Sequence, residues 1–449
     1  MLASTYPAQT RFSLRAGVTC LTTPAGAVLL NPPRNVKLTG LGAGALQALK
    51  TLNQGPATAA EMSTAAAGDD ITGLMRKLTD GGWLAVTVRD GGRDLYSIRP
   101  FAEPAPRPEV PLPTWSATLS KFAVLHRDAQ GFVLEHPRAW CDLRVHDPRL
   151  LALLDGPMAA DSPVPATVKS QFMADLQWCG FLVDGDEEEH EFSTRSWSAP
   201  DLWFHRRSTL GARTVTWDEF GPTRWADGRF PELPARRAPF AGEPIALARP
   251  DLDGLRAADP SLTAALEDRV STRAFDDAAP ITADQLGELL FRSARTRADG
   301  SRPYPSGGGA YELEIYPVIR NVAGLDNGMY HYDSADHVLR PVAPADSPAV
   351  QKLLKSTSAT LAGGAEPQVL LLVSARAGRV MWSYEQVAYA NILKHVGVLM
   401  QTVYLAATAM NLGVVAQGFS DTAAFATATG LDELEECNVG SIIVGSRTA

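Results

Sequence analysis

The sequence predicts an α+β protein made of two short copies of one unit, a connecting segment and a larger C-terminal domain. Three observations lead there. Three blocks recur in the same order in the first half of the chain. Proline-rich stretches divide it: FAEPAPRPEVPLP from Phe101 to Pro113, and FPELPARRAPFAGEPIALARP from Phe230 to Pro250. The last two hundred residues mix uninterrupted apolar strands with one long apolar helix. These breaks give units at 1–100, 114–185 and 250–449, with a connecting region at about 190–250.

The repeat rests on three pairs. GAVLLNPP at 26–33 matches GFVLEHPR at 131–138, ALQALKTLNQGP at 45–56 matches RLLALLDGP at 149–157, and GLMRKLTDGGWLAV at 73–86 matches QFMADLQWCGFLVD at 171–184. Within the first copy, Leu46, Leu49 and Leu52 mark one helix face that Gly55-Pro56 ends. Ile71, Leu74, Met75 and Leu78 mark a second helix, closed by Gly81-Gly82. Trp83 to Arg89 and Asp94 to Arg99 flank Asp90-Gly91-Gly92 as a hairpin. Helix, helix and a two-stranded wing make a winged-helix-like outline. A DNA-reading helix needs side chains for phosphates and base edges. The first copy offers Arg76 and Lys77, but the second offers Asp175 and Gln177. Peptide binding by strand addition suits this scaffold better. The acidic run Asp184 to His190 reads as a solvated loop.

The chain has 449 residues, 45% hydrophobic and 20% charged, enough to bury sizeable cores. Its net charge of −9 argues against a dedicated nucleic-acid binder. Cys20, Cys141, Cys179 and Cys437 lie far apart with no CxxC pair, which argues against a zinc cluster or disulfide framework and fits reduced thiols in the cytoplasm. The N-terminal MLASTYPAQTRFSLRAG has no signal-peptide pattern. Val396 to Val415 is long and apolar, but it holds Gln401, Thr402, Thr408 and Asn411, so a core helix is expected there and no membrane span.

The chemistry concentrates in 250–449. Arg269, Ser271 and Arg273 form an Arg-x-Ser-x-Arg cluster that can grip a phosphate or an electron-rich ring. Arg302-Pro-Tyr-Pro-Ser306 runs into Gly307, Gly308 and Gly309, a loop whose backbone can approach a ligand closely. Leu313 to Asp333 reads as strand, turn and strand, and Gln368 to Ser374 as a strand of the sheet interior. His331 and His395 read as strand-face and packing residues, and no spacing suggests a metal.

Seven blocks, RVSTRAF, RPYPSGGGAYELEIYPV, GLDNGMYHYD, GRVMWSYE, HVGVLMQTVYLAATAMNLG, QGFSD and NVGSIIVG, resemble in this order the nitroreductase-like flavoprotein fold. More narrowly they resemble the FMN-dependent azoline dehydrogenases of ribosomal-peptide natural products, the oxidases of the microcin, streptolysin, cyanobactin and thiopeptide classes. LWFHRRSTLG at 202–211 resembles the segment that often precedes this domain, and the repeats resemble the winged-helix peptide clamps fused to such oxidases.

The resemblance implies FMN as cofactor. Arg269, Ser271 and Arg273 would contact its ring edge and phosphate, and Ser306 and Gly307 would lie near the ring. Gln417-Gly418 would bring a backbone amide to it, and Arg447 would bind the phosphate. It also implies a homodimer through the apolar helix Val396 to Met410, a precursor peptide whose leader the repeats hold, and a cyclodehydratase partner. The implied reaction is oxidation of thiazoline or oxazoline to thiazole or oxazole. The family takes its base from a Lys-Tyr pair; here the pair reads Ser383-Tyr384. A phenol has an ordinary pKa near 10, so without the lysine either another cation, Arg379 or Arg376, activates Tyr384 or the proton goes elsewhere. A stand-alone nicotinamide-dependent nitroreductase and a non-catalytic flavin- or peptide-binding scaffold are the alternatives.

Overall fold

The computed structural model describes residues 6–23, 26–31, 34–155, 164–209 and 221–448. Parts of the quoted motifs, Pro32-Pro33, Gly156-Pro157 and Leu210-Gly211, lie outside the described residues. The chain forms two compact units, Met1–Thr216 and Trp217–Ala449.

In the first unit the element order repeats. The first half has β1 (Arg11–Leu14), the meander β2 (Thr19–Thr23), β3 (Gly26–Asn31) and β4 (Arg34–Thr39), helix α1 (Ala43–Gln54), β5 (Ala57–Thr58), helices α2 (Ala59–Ala65) and α3 (Thr72–Asp80), then the hairpin β6 (Leu84–Asp90) and β7 (Arg93–Pro100). The second half has β8 (Ala117–Leu119), the meander β9 (Val124–Asp128), β10 (Gly131–Glu135) and β11 (Cys141–Val145), a 3₁₀ turn at Pro148–Asp155, helix α4 (Ala166–Trp178) and β12 (Leu182–Asp184). The second copy therefore has a 3₁₀ turn where the first has α1. The hairpin turn is Gly91-Gly92, both at positive φ (53° and 80°), the conformation a two-residue loop requires and only glycine adopts cheaply.

The halves are not separate bodies. β7 of the first pairs antiparallel with β11 of the second, giving one seven-stranded sheet of order β5-β1-β6-β7-β11-β10-β9 over one apolar core. The Pro-rich segment is pinned along α4. Arg107 reaches the buried Asp175 at 2.7 Å and lies over the Trp178 ring at 4.2 Å, and the Gln177 amide bonds Leu112 N and Val110 O. Asp175 also accepts from the hydroxyls of Tyr6 and Tyr96. The acidic run is not a loop: Gly185–His190 is a short helix, α5. Asp184 caps it by accepting from Asp186 N and Glu187 N, and the acidic first turn faces the positive end of the helix dipole.

The second unit is a seven-stranded antiparallel sheet with helices on both faces. Its strands are β13 (Ile245–Ala246), β14 (Leu313–Ile319), β15 (Gly328–Asp333), β16 (Val338–Pro344), β17 (Val369–Ala375), β18 (Leu412–Gln417) and β19 (Cys437–Ser446), in the order β13-β16-β15-β14-β17-β19-β18. β14 and β17 are buried at every residue, because both faces are covered. One face packs on α8 (Ala283–Ala294) and α11 (Ala388–Ala409), the other on α9 (Pro348–Ser358) and α12 (Thr422–Thr429). Two further helices, α7 (Leu262–Asp268) and α10 (Ala377–Ser383), border α11; α6 (Ala199–Arg207) closes the first unit. α11 begins before the apolar run and ends at Ala409, and after a two-residue turn the run continues into β18. By length and composition α11 is apolar enough to cross a membrane, yet Ile392, Val396, Leu399, Val403 and Ala407 form a buried stripe on it.

Candidate functional site

Two groups of predicted residues assemble in the second unit, at different stations of α11. The first is the Gly-rich loop. Gly308 (φ 62°), Gly309 (φ 67°) and Tyr311 (φ 44°) turn the chain through left-handed conformations, costly for the tyrosine. The turn lets the Ser306 hydroxyl accept from Tyr311 N at 3.1 Å and donate to Glu312 at 3.2 Å. Gly307 N donates to His395 Nε2 at 2.8 Å, and His395 Nδ1 meets Glu312 Oε1 at 2.7 Å. Glu312 is fully buried. Tyr384 caps the C-terminal end of α10, after Ser383, and its hydroxyl points at Gly307: a Cβ there would stand 3.5 Å from the phenol oxygen and 3.3 Å from His395 Nε2.

The second group lies on the edge of β18. The Ser271 hydroxyl bonds Tyr404 OH at 3.0 Å, Tyr404 OH accepts from Ala416 N at 2.9 Å, and Arg269 sits over the Tyr404 ring at 5.2 Å. Thr272 N bonds Val414 O, and Phe275 bridges to Arg447, whose Nε bonds Leu412 O. Arg273 lies between, exposed. Among the described residues no carboxylate forms a salt bridge with Arg269, Arg273 or Arg447, and the three cations stand along one edge. Gly418 follows, with open space where a side chain would be. The Gln417 amide faces the other layer and is bound by Thr360 and Ser441. His395 and Tyr404 are separated by about 13 Å of helix rise. No hydrogen bond or ion pair among the described residues joins the two groups.

Sequence reasoning missed His395 and Glu312. A histidine on an apolar helix and a glutamate at a strand entrance look like packing residues; the contact depends on positions 83 residues apart. A parallel pair stands two residues on, where His331 Nε2 meets the buried Glu314 at 3.0 Å. Burial alone would raise Glu314, but the His331 hydrogen bond, with Arg302 and Arg376 nearby, holds it below the usual carboxylate range. Burial pushes the neighbouring Tyr304 phenol up to about 12, so it stays protonated at neutral pH. Among the described residues no cluster of His, Cys, Asp and Glu could hold a metal ion.

The first unit holds a groove of about 450 Å³ between the pinned segment, α4 and the β8–β12 pair, lined by Arg107, Leu112, Ala117, Lys169, Met173 and Leu182. Among the described residues each strand of that pair has one edge unpaired in its sheet.

Residues 266–446 match the model described as the nitroreductase family. That stretch is similar to the nitroreductase family. Residues 117–214 match the model described as cyanobactin oxidase ThcOx. A protein of Methanocaldococcus jannaschii that bears a nitroreductase name is 28% identical over 178 residues, 39% of this chain and 85% of that protein. A crystal structure from Ralstonia eutropha JMP134, also bearing a nitroreductase name, is 24% identical and covers 51% of this chain and 99% of its own, with TM-score 0.39. The E. coli microcin synthetase McbBCD complex, solved with truncated pro-MccB17 bound, matches at 18% identity over 58% of this chain and all of the matched one, with TM-score 0.37.

Proposed function

We propose that the chain is an FMN-dependent dehydrogenase that oxidises thiazoline or oxazoline rings of a ribosomally made peptide to thiazole or oxazole. One observation carries this reading: a nitroreductase-family match shares a chain with a cyanobactin-oxidase match over 117–214. A stand-alone reductase of small aromatics needs no such second segment.

The donor set fits FMN. Three guanidinium groups and the Ser271 hydroxyl suit a phosphate and an electron-rich ring edge, and the bare Gly418 lets the main chain come close to a flat ring. In this reading Arg269, Ser271, Arg273 and Arg447 hold the phosphate and ring edge, Ser306 and Gly307 line the ring, and Gln417-Gly418 present a backbone amide. Bound FMN supplies a two-electron acceptor. Tyr384 removes the proton from the ring carbon beside the carbonyl, while Ser383, lacking a charge, can only hydrogen-bond. The chain works as a homodimer: a second copy would cover the exposed Leu262, Leu266, Val270, Tyr389, Leu393 and Val398 and bring the edge of one copy to the Gly-rich loop of the other. The groove in the first unit takes the leader of the precursor peptide as an added strand. A cyclodehydratase supplies the azoline in the same cytoplasm.

The purified protein is expected to be yellow and to remove two hydrogen atoms per ring from a synthetic thiazoline-containing peptide, read by mass spectrometry. Arg269→Ala should lower flavin occupancy on dilution, since a charge-assisted contact contributes about 1.5–3 kcal/mol. A flavin-loaded chain that reduces nitroaromatics with a nicotinamide cofactor and leaves azoline peptides untouched would reverse the assignment.

A further inference from the structure

We propose that Glu312, His395 and Tyr384 act as one proton-handling unit. Tyr384 meets the substrate, His395 Nε2 takes the phenolic proton, and Glu312 is the positioning residue that fixes the imidazole. The proposal rests on the dehydrogenase reading above and names what stands in for the absent lysine.

The hydrogen bonds assign the tautomer. Gly307 N–H donates to Nε2 at 2.8 Å, so Nε2 bears the lone pair and Nδ1 bears the hydrogen, which Glu312 Oε1 accepts at 2.7 Å. A carboxylate with no solvent exposure needs partners. Among the described residues those of Glu312 are His395 and the Ser306 hydroxyl at 3.2 Å, and no Lys or Arg forms a salt bridge with it. A carboxylate that holds Nδ1–H and leaves the Nε2 lone pair facing outward is the arrangement by which a histidine serves as a base for a neighbouring hydroxyl.

Gly307 places the phenol. Its backbone is not in the left-handed region, unlike Gly308 and Gly309, so the turn does not itself require glycine there. What its missing side chain leaves open is the space between two reactive groups: a Cβ would lie 3.3 Å from His395 Nε2 and 3.5 Å from Tyr384 OH. The imidazole and the phenol thus border the same space, the one a Gly307 side chain would fill. Once protonated, His395 gives Tyr384 the neighbouring cation that Ser383 cannot provide.

The step balances as acid–base chemistry. The ring C–H bond breaks and its electron pair stays with the substrate. The proton joins the phenolic oxygen as the phenolic proton passes to Nε2, which releases the Gly307 N–H. Nδ1–H stays on Glu312 throughout, and no electrons move among the three residues.

The test uses the full-length holoenzyme labelled with ¹⁵N-histidine. The chain has 8 histidines, and the signal lost in His395→Gln assigns His395. The native ring is expected as the Nδ1–H tautomer, Glu312→Gln should abolish that preference, and Tyr384→Phe, which removes one oxygen from a half-buried ring, should shift the Nε2 resonance. With a synthetic thiazoline peptide, Tyr384→Phe and His395→Gln should each lower kcat by about 10²–10⁴-fold with KM little changed. The double variant should lose no more than the worse single one, as expected of residues that work as a unit. An Nε2 resonance unmoved by Tyr384→Phe, or losses that multiply in the double variant, overturns the proposal. If the native chain leaves the thiazoline peptide untouched, the azoline reading fails, and the Nε2 shift still decides whether the two residues are coupled.

Discussion

His337 shows how a residue with an ordinary sequence context acquires a defined protonation state. It sits at positive φ (59°) in the turn between β15 and β16, nearly fully buried. Its Nδ1 meets Tyr332 OH at 2.8 Å and its Nε2 meets Ala248 O at 3.0 Å. Burial, with Arg249 and Arg295 nearby, lowers its pKa below the usual histidine value, against the opposing pull of the Ala248 bond. The folded chain therefore holds fewer protons than the unfolded chain just below pH 6.5, so this stability is present above that pH and is lost as pH falls through it. The thermal midpoint is expected to drop between pH 7 and 5, with His337 adding at most about 1.4 kcal/mol per pH unit, the ceiling for one proton. His337→Asn tolerates the backbone angle and should give a less stable but shallower profile; an unchanged slope would assign the acid sensitivity to other groups. At this scale the sequence offered Tyr384 and Ser383 as candidates, because they are adjacent in a recognisable block. It concealed Glu312 and His395, because what makes them a pair is distance in space.

Elements with both faces buried were the easiest to read. The apolar run of β17 predicted an interior strand, and it is one; β14 was expected only as a strand, and it too is buried at every residue. Their neighbours in the sheet were not legible, since order depends on long-range pairing such as β17 with β19, some seventy residues apart. The extended segment carrying Arg269 and Arg273 depends on the same pairing. Phe275 packs over Gly445 of β19, and a Cβ at Gly445 would stand 2.6 Å from the Phe275 ring and 2.9 Å from Gln368 Oε1. Gln368 cannot yield easily: it is fully buried and bonds Asp276 O, Ser446 N and the Ser446 hydroxyl. Gly445→Ala is expected to destabilise the unit by about 1–3 kcal/mol, the usual cost of overpacking. It should also lower the flavin-to-protein ratio, because Phe275 must move and it bridges to Arg447. Denaturant unfolding and flavin absorbance read the two effects. Full flavin occupancy in a clearly destabilised variant would separate the arginine edge from cofactor binding.

Across the whole molecule the repeat was legible because its blocks are apolar and ordered alike, while the sheet that joins the copies was not, because β7 and β11 meet only after folding. The segment before 250 reads as a linker in sequence, but much of it belongs to the second unit. Arg379 bonds Leu233 O, Arg376 bonds Ala235 O at 3.2 Å, and Trp382 Nε1 bonds Phe230 O at 2.9 Å. Arg237 reaches the buried Glu436 at 3.2 Å, and Arg236 reaches Asp333 at 2.7 Å. A fragment beginning near Arg249 would remove these acceptors and cations together, leaving Arg376, Arg379 and Glu436 buried with partners missing, and an unsatisfied buried polar group costs about 1–3 kcal/mol, more when charged. Such a fragment is expected to aggregate or to lose flavin. A fragment beginning at Trp217, the boundary of the compact unit, keeps the whole strap. It should fold, bind FMN with the affinity of the full chain and dimerise, yet fail to bind a leader peptide, because the groove beside β8 is gone. Fluorescence titration with FMN, light scattering and leader-peptide titration read the three properties. Equal behaviour of the two fragments would show that the strap is dispensable, and leader binding by the Trp217 fragment would move the peptide site into the second unit.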